Sequence, residues 1–497
     1  MAVAKESVID VTAHMAADGT FDWDVPAGDW TIMRVGAACN GRCNHPAARG
    51  GRGLEVDKLS ASAVEHHFNA YAARLCDALG IHRGSPKSNA GLTTIHIDSY
   101  EVGGQNWTQG LDAVFERRTG RSLVPFLPVF ANRIVGSVAE PADFLECVRR
   151  VIADLFAENY AGTMARLCHE RGLAFSLEPY GNCVTDDLQY GQDADTPIAE
   201  FWSNAMLGDH GVGGTGNARH AAYLAHVWGR RRAGAEAFTA HPRNGGCWAT
   251  TPFSIKGQTD RAYAAGVNCI FYHRFAHQPW AGNKYLPGMT MGRWGMHLDR
   301  TQTWWHIAPE FFTDQARCQW MLQEGLYAAD RLYWCGEAAP NFGLGCRRPP
   351  AGYAWDVCAT KALEMLKVRN GKVVVPGGVE YELLVLPQGK ISERMRRRIA
   401  ELEAQGAKVV NPAKETPGAA LRRLGIAPDF ICTAPDVSWI HRKGNGADWY
   451  FVACDNATNA TFEVSFRQTG RQPEIWNAET GETTDSVNWR EDRKSVV

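Results

Sequence analysis

Acidic and imidazole side chains follow four separate apolar runs of the sequence, and these residue types can carry out hydrolysis. In chain order they are Asp98 with Glu101, Glu178, Glu236, and His273 with His277. Two carboxyl groups can divide the work between an acid that protonates a leaving oxygen and a base that activates water. A solvated loop explains any one of these residues, but four such ends in series favour a functional site.

The segments between these residues must position them, and they alternate strand-like runs with helical periodicity over 91–327. Helix-like stretches end at Gly120 and Gly172, and a further helix is predicted from Thr196-Pro197 through IAEFWSNAML, because Pro suits the first helical turn. Such alternation is typical of a parallel α/β domain. In a (β/α)8 barrel the C-terminal ends of the strands form the active site, so these acids are expected to converge.

The flanking regions follow other patterns. Residues 1–60 are predicted to be β, with strand-like runs at 21–25 and 30–35 around a Pro-Ala-Gly turn. Helical spacing begins at Ser60, a candidate N-cap, and ends at Gly80.

The C-terminal third divides into two parts. Over 330–425, strand-like RLYWCG, ELLVLP and AKVV alternate with helix-like DVCATKALEML and ERMRRRIAELEAQG. Acids at its strand ends are too few to suggest chemistry. Residues 430–497 are predicted to return to β structure.

Composition narrows the class of protein. The chain has 497 residues and a net charge of -2, so it lacks the basic surface that nucleic-acid binding requires. It has no apolar stretch long enough to predict a membrane span, and its first residues lack the apolar core of a signal peptide, which leaves the compartment open. The 14 cysteines are scattered singly, which favours free thiols. The 17 tryptophans suit either sugar stacking or core packing.

An ordered series of short motifs resembles glycoside hydrolase family 106, the α-L-rhamnosidases. The series contains WDVPAGDW at 23–30, GLEVDK at 53–58, IDSYE at 97–101 with NWT at 106–108, LEPYG at 177–181, DTP at 195–197 with EFW at 200–202, AEAFT at 235–239, His273 with HQP at 277–279, PGM at 287–289, TWW at 303–305, GE at 336–337, LVLP at 384–387 and PEIW at 473–476. The resemblance covers nearly the whole chain in family order.

The resemblance implies an inverting hydrolase of terminal α-L-rhamnose in plant polysaccharides or rhamnosides, with a calcium ion near the sugar. It implies Glu101 as general acid and Glu236 as general base. Inverting carboxyl pairs lie roughly 6.5–9.5 Å apart to hold a water molecule between them, and the acid has a raised pKa. Glu178 is the alternative acid.

Other residues are expected to contact the sugar. They are Asp98, Trp107, Glu178, Asp195, Glu200, Trp202, His273 and His277. Helix capping is an equal alternative for Glu200, and core packing is one for the tryptophans, including a further stacking candidate, Trp248. Glu55 and Asp57 are weighed as calcium ligands against a surface-loop role, so the metal ligands stay open.

The resemblance also implies a fold of α/β class with β domains. Residues 1–58 would be part of a β-sandwich insertion, 59–327 part of a (β/α)8-type catalytic barrel, 328–427 a flavodoxin-like α/β unit, and 428–497 a partial β-sandwich. Four barrel strands are clear and a fifth is expected near Asp195, so the chain is expected to lack the N-terminal barrel strands and to be truncated at both ends.

Two other functions compete with rhamnoside hydrolysis. Missing barrel strands would suit an inactive fragment or a non-catalytic carbohydrate-binding protein. A barrel followed by a flavodoxin-like unit also suits a retaining β-galactosidase-like glycosidase, whose carboxyl groups lie about 5–5.5 Å apart. All three hypotheses expect a carbohydrate partner, and none expects nucleic acid or a membrane.

Overall fold

The structure is a computed structural model, and it describes residues 2–45, 47–86, 91–181, 183–203, 215–240, 248, 250–282, 284–286, 288–289, 294–343, 351–454 and 461–491. The strands, in chain order, are β1 (Ala2–Val3), β2 (Thr94–Ile97), β3 (Ile134–Val135), β4 (Ala174–Leu177), β5 (Thr196–Trp202), β6 (Gly234–Thr239), β7 (Cys269–Tyr272), β8 (Leu326–Tyr327), β9 (Arg331–Trp334), β10 (Trp355–Cys358), β11 (Lys367–Arg369), β12 (Lys372–Val374), β13 (Glu380–Tyr381), β14 (Leu383–Val385), β15 (Val409–Val410), β16 (Phe430–Cys432), β17 (Val437–Gly444), β18 (Ala447–Cys454), β19 (Val464–Phe466), β20 (Glu474–Trp476) and β21 (Thr483–Asp485).

The α-helices lie mostly between these strands. In chain order they are α1 (Ala61–Ala70), α2 (Ala72–Ala78), α3 (Leu111–Thr119), α4 (Ala139–Leu155), α5 (Thr163–His169), α6 (Asp187–Tyr190), α7 (Thr215–Trp228), α8 (Pro252–Ala264), α9 (Ala308–Leu322), α10 (Thr360–Met365), α11 (Glu393–Ala404) and α12 (Pro417–Arg423). A π-helical turn, Phe156–Gly162, joins α4 to α5.

A five-stranded parallel sheet in the order β2-β4-β5-β6-β7 forms the centre of the N-terminal part, and we call it the first sheet. Its strands are rich in small and β-branched residues, and helices cover its outer face, so β4 and β6 are mostly buried. The predicted parallel α/β arrangement is confirmed, as is the fifth strand after Asp195. Within the described residues the sheet stays open at β2 and β7, so it is a curled half-barrel rather than a closed barrel.

The helix predicted from Thr196-Pro197 is wrong over its described part. Residues 196–202 form β5, which pairs with β4 on one side and β6 on the other. A parallel strand between two neighbours gains backbone hydrogen bonds and burial on both faces, and this outweighs the helical preference suggested by Pro197. The rest of that predicted helix, 204–207, lies outside the described residues.

The strands predicted at 21–25 and 30–35 do not form. The N-terminal segment holds the two-residue strand β1, which pairs with β3, and isolated bridges such as Met15 to Phe21. Val25, Ile32 and Val35 are each about half exposed, at 56%, 57% and 50%. Apolar alternation stabilises a strand only when a neighbour accepts its hydrogen bonds, and the described residues supply none here.

The helical prediction from Ser60 is confirmed. The Ser60 side chain accepts a hydrogen bond from the Ala63 N–H and so caps α1. A short break at Tyr71 separates α1 from α2, and Gly80 takes a left-handed backbone at φ 71° after the last turn.

A second parallel sheet, in the order β10-β9-β14-β15, lies in the C-terminal part, and we call it the second sheet. Its core contains the fully buried Leu332, Trp334 and Leu384. The start of the helix predicted from DVCATKALEML is wrong, because Trp355–Cys358 forms β10 before α10 begins at Thr360. As in β5, pairing with a neighbouring strand outweighs local preference.

The remaining strands form small antiparallel groups. β18, β17 and β8 make one sheet and β11, β12 and β13 make a second, and the pairs β16 with β19 and β20 with β21 make two more. Strands at WIHRK and ADWYFVAC are confirmed, but a β-sandwich is not established within the described residues. None of the helices in the described ranges is both long and apolar enough to cross a membrane. Every cysteine in these ranges is a free thiol.

Candidate functional site

Four carboxylates converge at the C-terminal side of the first sheet. Asp98 follows β2, Glu178 follows β4, Glu200 lies in β5 and Glu236 lies in β6. Glu200 and Glu236 are direct register partners on neighbouring parallel strands. Neighbouring strands lie about 4.8 Å apart and paired residues share a face, so these two side chains stand side by side.

Glu178 is the most buried acid of this group, at 1% exposed. Its Oε2 accepts hydrogen bonds from the Ser99 N–H at 3.1 Å and from the Tyr180 hydroxyl at 2.7 Å. Burial and the neighbouring Asp98 carboxyl raise the pKa of Glu178 to about 11. Glu178 is therefore a neutral carboxylic acid at pH 7, in contact with a second carboxyl group.

Glu200 is held from both of its oxygens. The Trp202 indole N–H donates to Oε1 at 2.5 Å, and the Tyr180 hydroxyl lies 3.3 Å from Oε2. Burial raises the pKa of Glu200, although both donors oppose the shift. The negative charges of Glu101 and Asp98 raise it further.

Glu236 has the environment of a base that works near neutral pH. The Thr239 hydroxyl donates to its Oε1 at 2.8 Å, and His273 Nε2 lies 4.0 Å from the same oxygen. Burial raises the pKa of Glu236 to about 7, with contributions from the charges of Glu200 and Asp98. Burial lowers the pKa of His273 to about 4, so its imidazole is neutral beside Glu236.

Asp98 and Glu101 are exposed and lie on either side of the buried Tyr100. The Tyr100 N–H donates to the Tyr180 carbonyl at 3.0 Å, and this bond ties the segment after β2 to the segment after β4. The charges of Asp98 and Glu101 both raise the pKa of Glu236. Their electrostatic effect places them in the same acidic cluster.

His96 is a member of this cluster that the sequence analysis missed. His96, Asp98 and Glu178 each offer a ligand atom, and these atoms lie within 4.8 Å of one another. His96 Nδ1 also lies 3.0 Å from the Ser176 hydroxyl. The sequence contained a signal for His96. It lies in β2 two residues before Asp98, and side chains two residues apart in an extended chain share a face.

Asp195 lies at the end of the sheet opposite to the acid cluster, and its sugar contact stays a prediction. It precedes β5, whereas Glu200 lies five residues further along the chain, or about 16 Å at the rise of a strand. Its carboxylate accepts the Phe175 N–H at 2.9 Å and meets His169 Nε2 at 2.7 Å. Asp195 therefore joins β4 to the N-terminal end of β5.

The aromatic and histidine candidates divide between site and core. Trp107 packs on the buried cluster around Tyr100 and Phe115, which favours its core alternative. Trp202 contacts Glu200 and meets the Trp294 ring edge-on at 5.6 Å. His277 is exposed, and the structure shows it pairing through its backbone with Met289.

The remaining candidates have local partners. Trp248 is 47% exposed and lies over the His297 ring at 4.9 Å. Glu55 pairs with Lys58 at 2.6 Å. Asp57 accepts hydrogen bonds from the Leu59 N–H, Gln105 and the Thr108 hydroxyl. Because both oxygens of Asp57 already accept hydrogen bonds, from Leu59 in its own loop and from Gln105 and Thr108 in the segment after β2, these contacts favour the loop alternative over calcium binding.

Comparison with known proteins places the chain in a family of glycoside hydrolases. The family model Glyco_hydro_106, described as alpha-L-rhamnosidase, matches residues 1–420 and 414–491. A curated protein of Formosa agariphila, named "Putative beta-glucuronidase", is 35% identical over 524 aligned residues, covering 98% of this chain and 43% of that protein. A solved rhamnosidase from Novosphingobium sp. PP1Y has a TM-score of 0.83 at 27% identity, covering 97% of this chain and 50% of that one. The chain thus spans about half the length of these relatives.

Proposed function

We propose, since the chain belongs to the Glyco_hydro_106 family of alpha-L-rhamnosidases, that it hydrolyses terminal α-L-rhamnosyl linkages by inversion. The observation that carries this proposal is that two carboxyl groups, suited to act as base and acid, lie at the C-terminal side of the first sheet. Glu236 has a pKa near neutrality, and Glu101 lies on a different strand end within electrostatic reach of it. Plant polysaccharides and rhamnosides are the proposed substrates.

Glu236 is the proposed general base. A base works best with a pKa near the working pH, and about 7 meets this condition. The Thr239 hydroxyl and the neutral His273 fix the orientation of its carboxylate. A water molecule activated by Glu236 would attack the anomeric carbon of the sugar.

Glu101 is the proposed general acid. It is exposed, so a leaving oxygen of a bound substrate can reach it. The alternative acid, Glu178, is protonated at pH 7 but 1% exposed, and its carboxyl is engaged with Ser99, Tyr180 and Asp98. These contacts support a positioning role for Glu178 and leave proton donation to Glu101.

Calcium is the proposed cofactor, and the donor set fits it in part. Asp98 and Glu178 bring carboxyl oxygens together, and a bound cation would favour the ionised form of Glu178 that can coordinate it. His96 in the same group is not an oxygen ligand, so the remaining positions would fall to water and sugar hydroxyls. A calcium ion bound here would neutralise negative charge and orient the sugar.

A retaining mechanism is the second candidate, and one specific observation supports it. Glu200 and Glu236 are register partners on adjacent strands, and a close carboxyl pair suits a covalent intermediate. In that case Glu236 or Glu200 would be the nucleophile, as in the β-galactosidase-like alternative. The anomer formed first by the enzyme distinguishes the two mechanisms.

A β-glucuronide is a further candidate substrate because of the name of the Formosa relative. Its sugar carries a carboxylate, and the site presents Asp98, Glu101, Glu200 and Glu236 on one side of the sheet. Repulsion between like charges disfavours this substrate relative to the uncharged rhamnose.

Hydrolysis of p-nitrophenyl α-L-rhamnopyranoside by the purified chain tests the proposal, with p-nitrophenyl β-D-glucuronide as the comparison. We expect release from the rhamnoside only, and slower release with chelator. Release from the glucuronide alone would overturn the substrate assignment. Binding of L-rhamnose without release from either compound would support the non-catalytic alternative.

A further inference from the structure

Tyr180 lies between two acids of the site, and its backbone is fixed. Pro179 restricts the chain before it, and Gly181 after it has φ 144°. A side chain at Gly181 would collide with the Tyr100 backbone, so the two segments approach as closely as glycine allows. The Tyr100 N–H donates to the Tyr180 carbonyl at 3.0 Å, which holds the residue against the segment that carries Glu101.

The Tyr180 hydroxyl reaches the carboxylates of two neighbouring strands. It lies 2.7 Å from Glu178 Oε2 and 3.3 Å from Glu200 Oε2. A phenol has a single proton to donate, and here the hydroxyl bridges Glu200 and Glu178, the second of which is neutral at pH 7. The hydroxyl therefore links Glu178 to Glu200.

The opposite oxygen of Glu200 has a donor of its own. The Trp202 indole N–H lies 2.5 Å from Oε1, and the Trp202 carbonyl accepts a hydrogen bond from the Gln258 side chain. The Trp202 ring also packs edge-on against Trp294 at 5.6 Å. Glu200 thus has the Trp202 indole N–H on one oxygen and the Tyr180 hydroxyl, shared with Glu178, beside the other, and both groups are held by their own neighbours.

Glu200 needs these contacts because the neighbouring carboxyl group of Glu236 repels its carboxylate. Glu236 is its register partner, and like charges on adjacent strands repel each other. A carboxylate with free rotation would turn away from Glu236 toward solvent. Two directed donors keep it in one orientation at the place where a sugar bound to Glu236 would lie.

We propose that Tyr180 is a positioning residue, and that with Trp202 it fixes the Glu200 carboxylate in the orientation that binds the sugar hydroxyls. This inference rests on the proposed function for the identity of the sugar. It separates Tyr180 from the reacting groups: the phenol acts through Glu200 and does not touch the bond that is cleaved.

Substitution of Tyr180 by Phe removes the hydroxyl and keeps the ring. We expect L-rhamnose to bind about tenfold more weakly, since hydrogen bonds to charged groups are worth about that factor or more. We also expect KM to rise more than kcat falls, because Glu200 binds the sugar but does not react. The matched control is Tyr190→Phe, because Tyr190 is 1% exposed and its hydroxyl has no hydrogen-bond partner among the described residues.

A double-mutant cycle shows whether Tyr180 acts through Glu200. In a Glu200→Gln background, Tyr180→Phe should change rhamnose binding by less than about twofold, because the residue it positions is already altered. An equal tenfold loss in both backgrounds, or wild-type binding by the single variant, would overturn the proposal. If Tyr180→Phe does not fold, the same double-mutant cycle can be measured with Trp202→Phe in place of Tyr180→Phe.

A measurement that needs no substrate separates this inference from the proposed function. The indole N–H resonance of Trp202 in a ¹⁵N-labelled NMR spectrum reports its hydrogen bond to Glu200. We expect it to move in Tyr180→Phe and to stay in place in Tyr190→Phe. A moved resonance in a protein that binds no rhamnose supports the positioning role and refutes the substrate, whereas an unmoved resonance refutes the positioning role.

Discussion

The first and second sheets have similar parallel architecture but use their acids in different ways. In the first sheet Glu178 meets the Asp98 carboxyl and a phenol, and Glu236 stands beside Glu200. In the second sheet Glu337, which follows β9, accepts hydrogen bonds from the Ser392 N–H at 2.9 Å and the Ser392 hydroxyl at 2.8 Å. It thereby anchors the N-terminus of α11.

Buried acids show the same contrast. Asp330 in the second sheet is 1% exposed, and its carboxylate meets the Arg467 guanidinium at 2.7 Å. Glu178 in the first sheet is equally buried, but its close partners are an acid and hydrogen-bond donors without charge. A parallel sheet therefore does not make a site by itself. Among the described residues, buried acids that meet other acids and no cationic side chain distinguish the sheet that can carry chemistry.

The largest expected effect comes from Glu236→Gln. Loss of the general base should lower kcat/KM for an aryl α-L-rhamnoside by about 10³-fold, within the range for such groups. The melting temperature should stay or rise, because a repelled carboxylate is removed. Steady-state kinetics and thermal unfolding check both parts, and unchanged activity would remove Glu236 from the mechanism.

Glu101→Gln should show an effect that depends on the leaving group. A poor leaving group needs a proton, so we expect a loss of about 10²-fold or more on a rhamnosyl disaccharide. A p-nitrophenolate leaves with less help, so the loss on the aryl rhamnoside should be smaller. Equal losses on both substrates would contradict a general acid role.

The pH profile should report Glu236. Its pKa is raised to about 7, and a base must be ionised to act. The kcat/KM should therefore fall as pH drops below about 7, by tenfold per unit well below it. Measurement in buffers from pH 5 to 9 checks this, and a rate that keeps its plateau down to pH 5 would argue against this base.

Glu178→Gln should stabilise the chain at alkaline pH when chelator is present. The pKa of Glu178 is raised to about 11 in the folded state, so the folded state binds its proton more tightly than the unfolded state. Wild-type stability is then lost as pH rises above the unfolded value of about 4.3, and the neutral Gln avoids this loss. At pH 8 we expect the variant to melt a few degrees higher. A lower melting temperature would show that the ionised carboxylate is needed.

The smallest expected effect is that of Glu337→Gln, the matched control in the second sheet. It weakens the two bonds to Ser392 and should cost about 1 kcal/mol in the free energy of unfolding. Rhamnoside hydrolysis should not change. Denaturant unfolding and kinetics check both parts, and loss of hydrolysis here would erase the distinction between the sheets.

The sequence was sufficient to locate the acids, because polar residues after buried strands are visible in the chain itself. Glu178, Glu236 and His273 could be placed near each other from the alternation of strands and helices alone. The end of the sheet at which Asp195 lies could not be predicted, because a residue before a strand and one after it look alike until the strand's bounds are known.

Other failures have a tertiary cause. Residues 196–202 became a strand because two neighbours accept its hydrogen bonds, and 21–25 stayed irregular because the described residues offer no neighbour. Neither fact is local to the sequence. The contacts of Tyr180 and Thr239 with the acids also depend on how the strand ends are fixed in space.

The most direct test of the account is to identify the anomer that is released first from an aryl α-L-rhamnoside. Proton NMR during the first minutes of hydrolysis measures this. If Glu101 and Glu236 act by inversion, β-L-rhamnose is released first. The α-anomer then appears only as the sugar equilibrates. Release of α-L-rhamnose first would contradict the account and assign the adjacent Glu200 and Glu236 to a retaining mechanism.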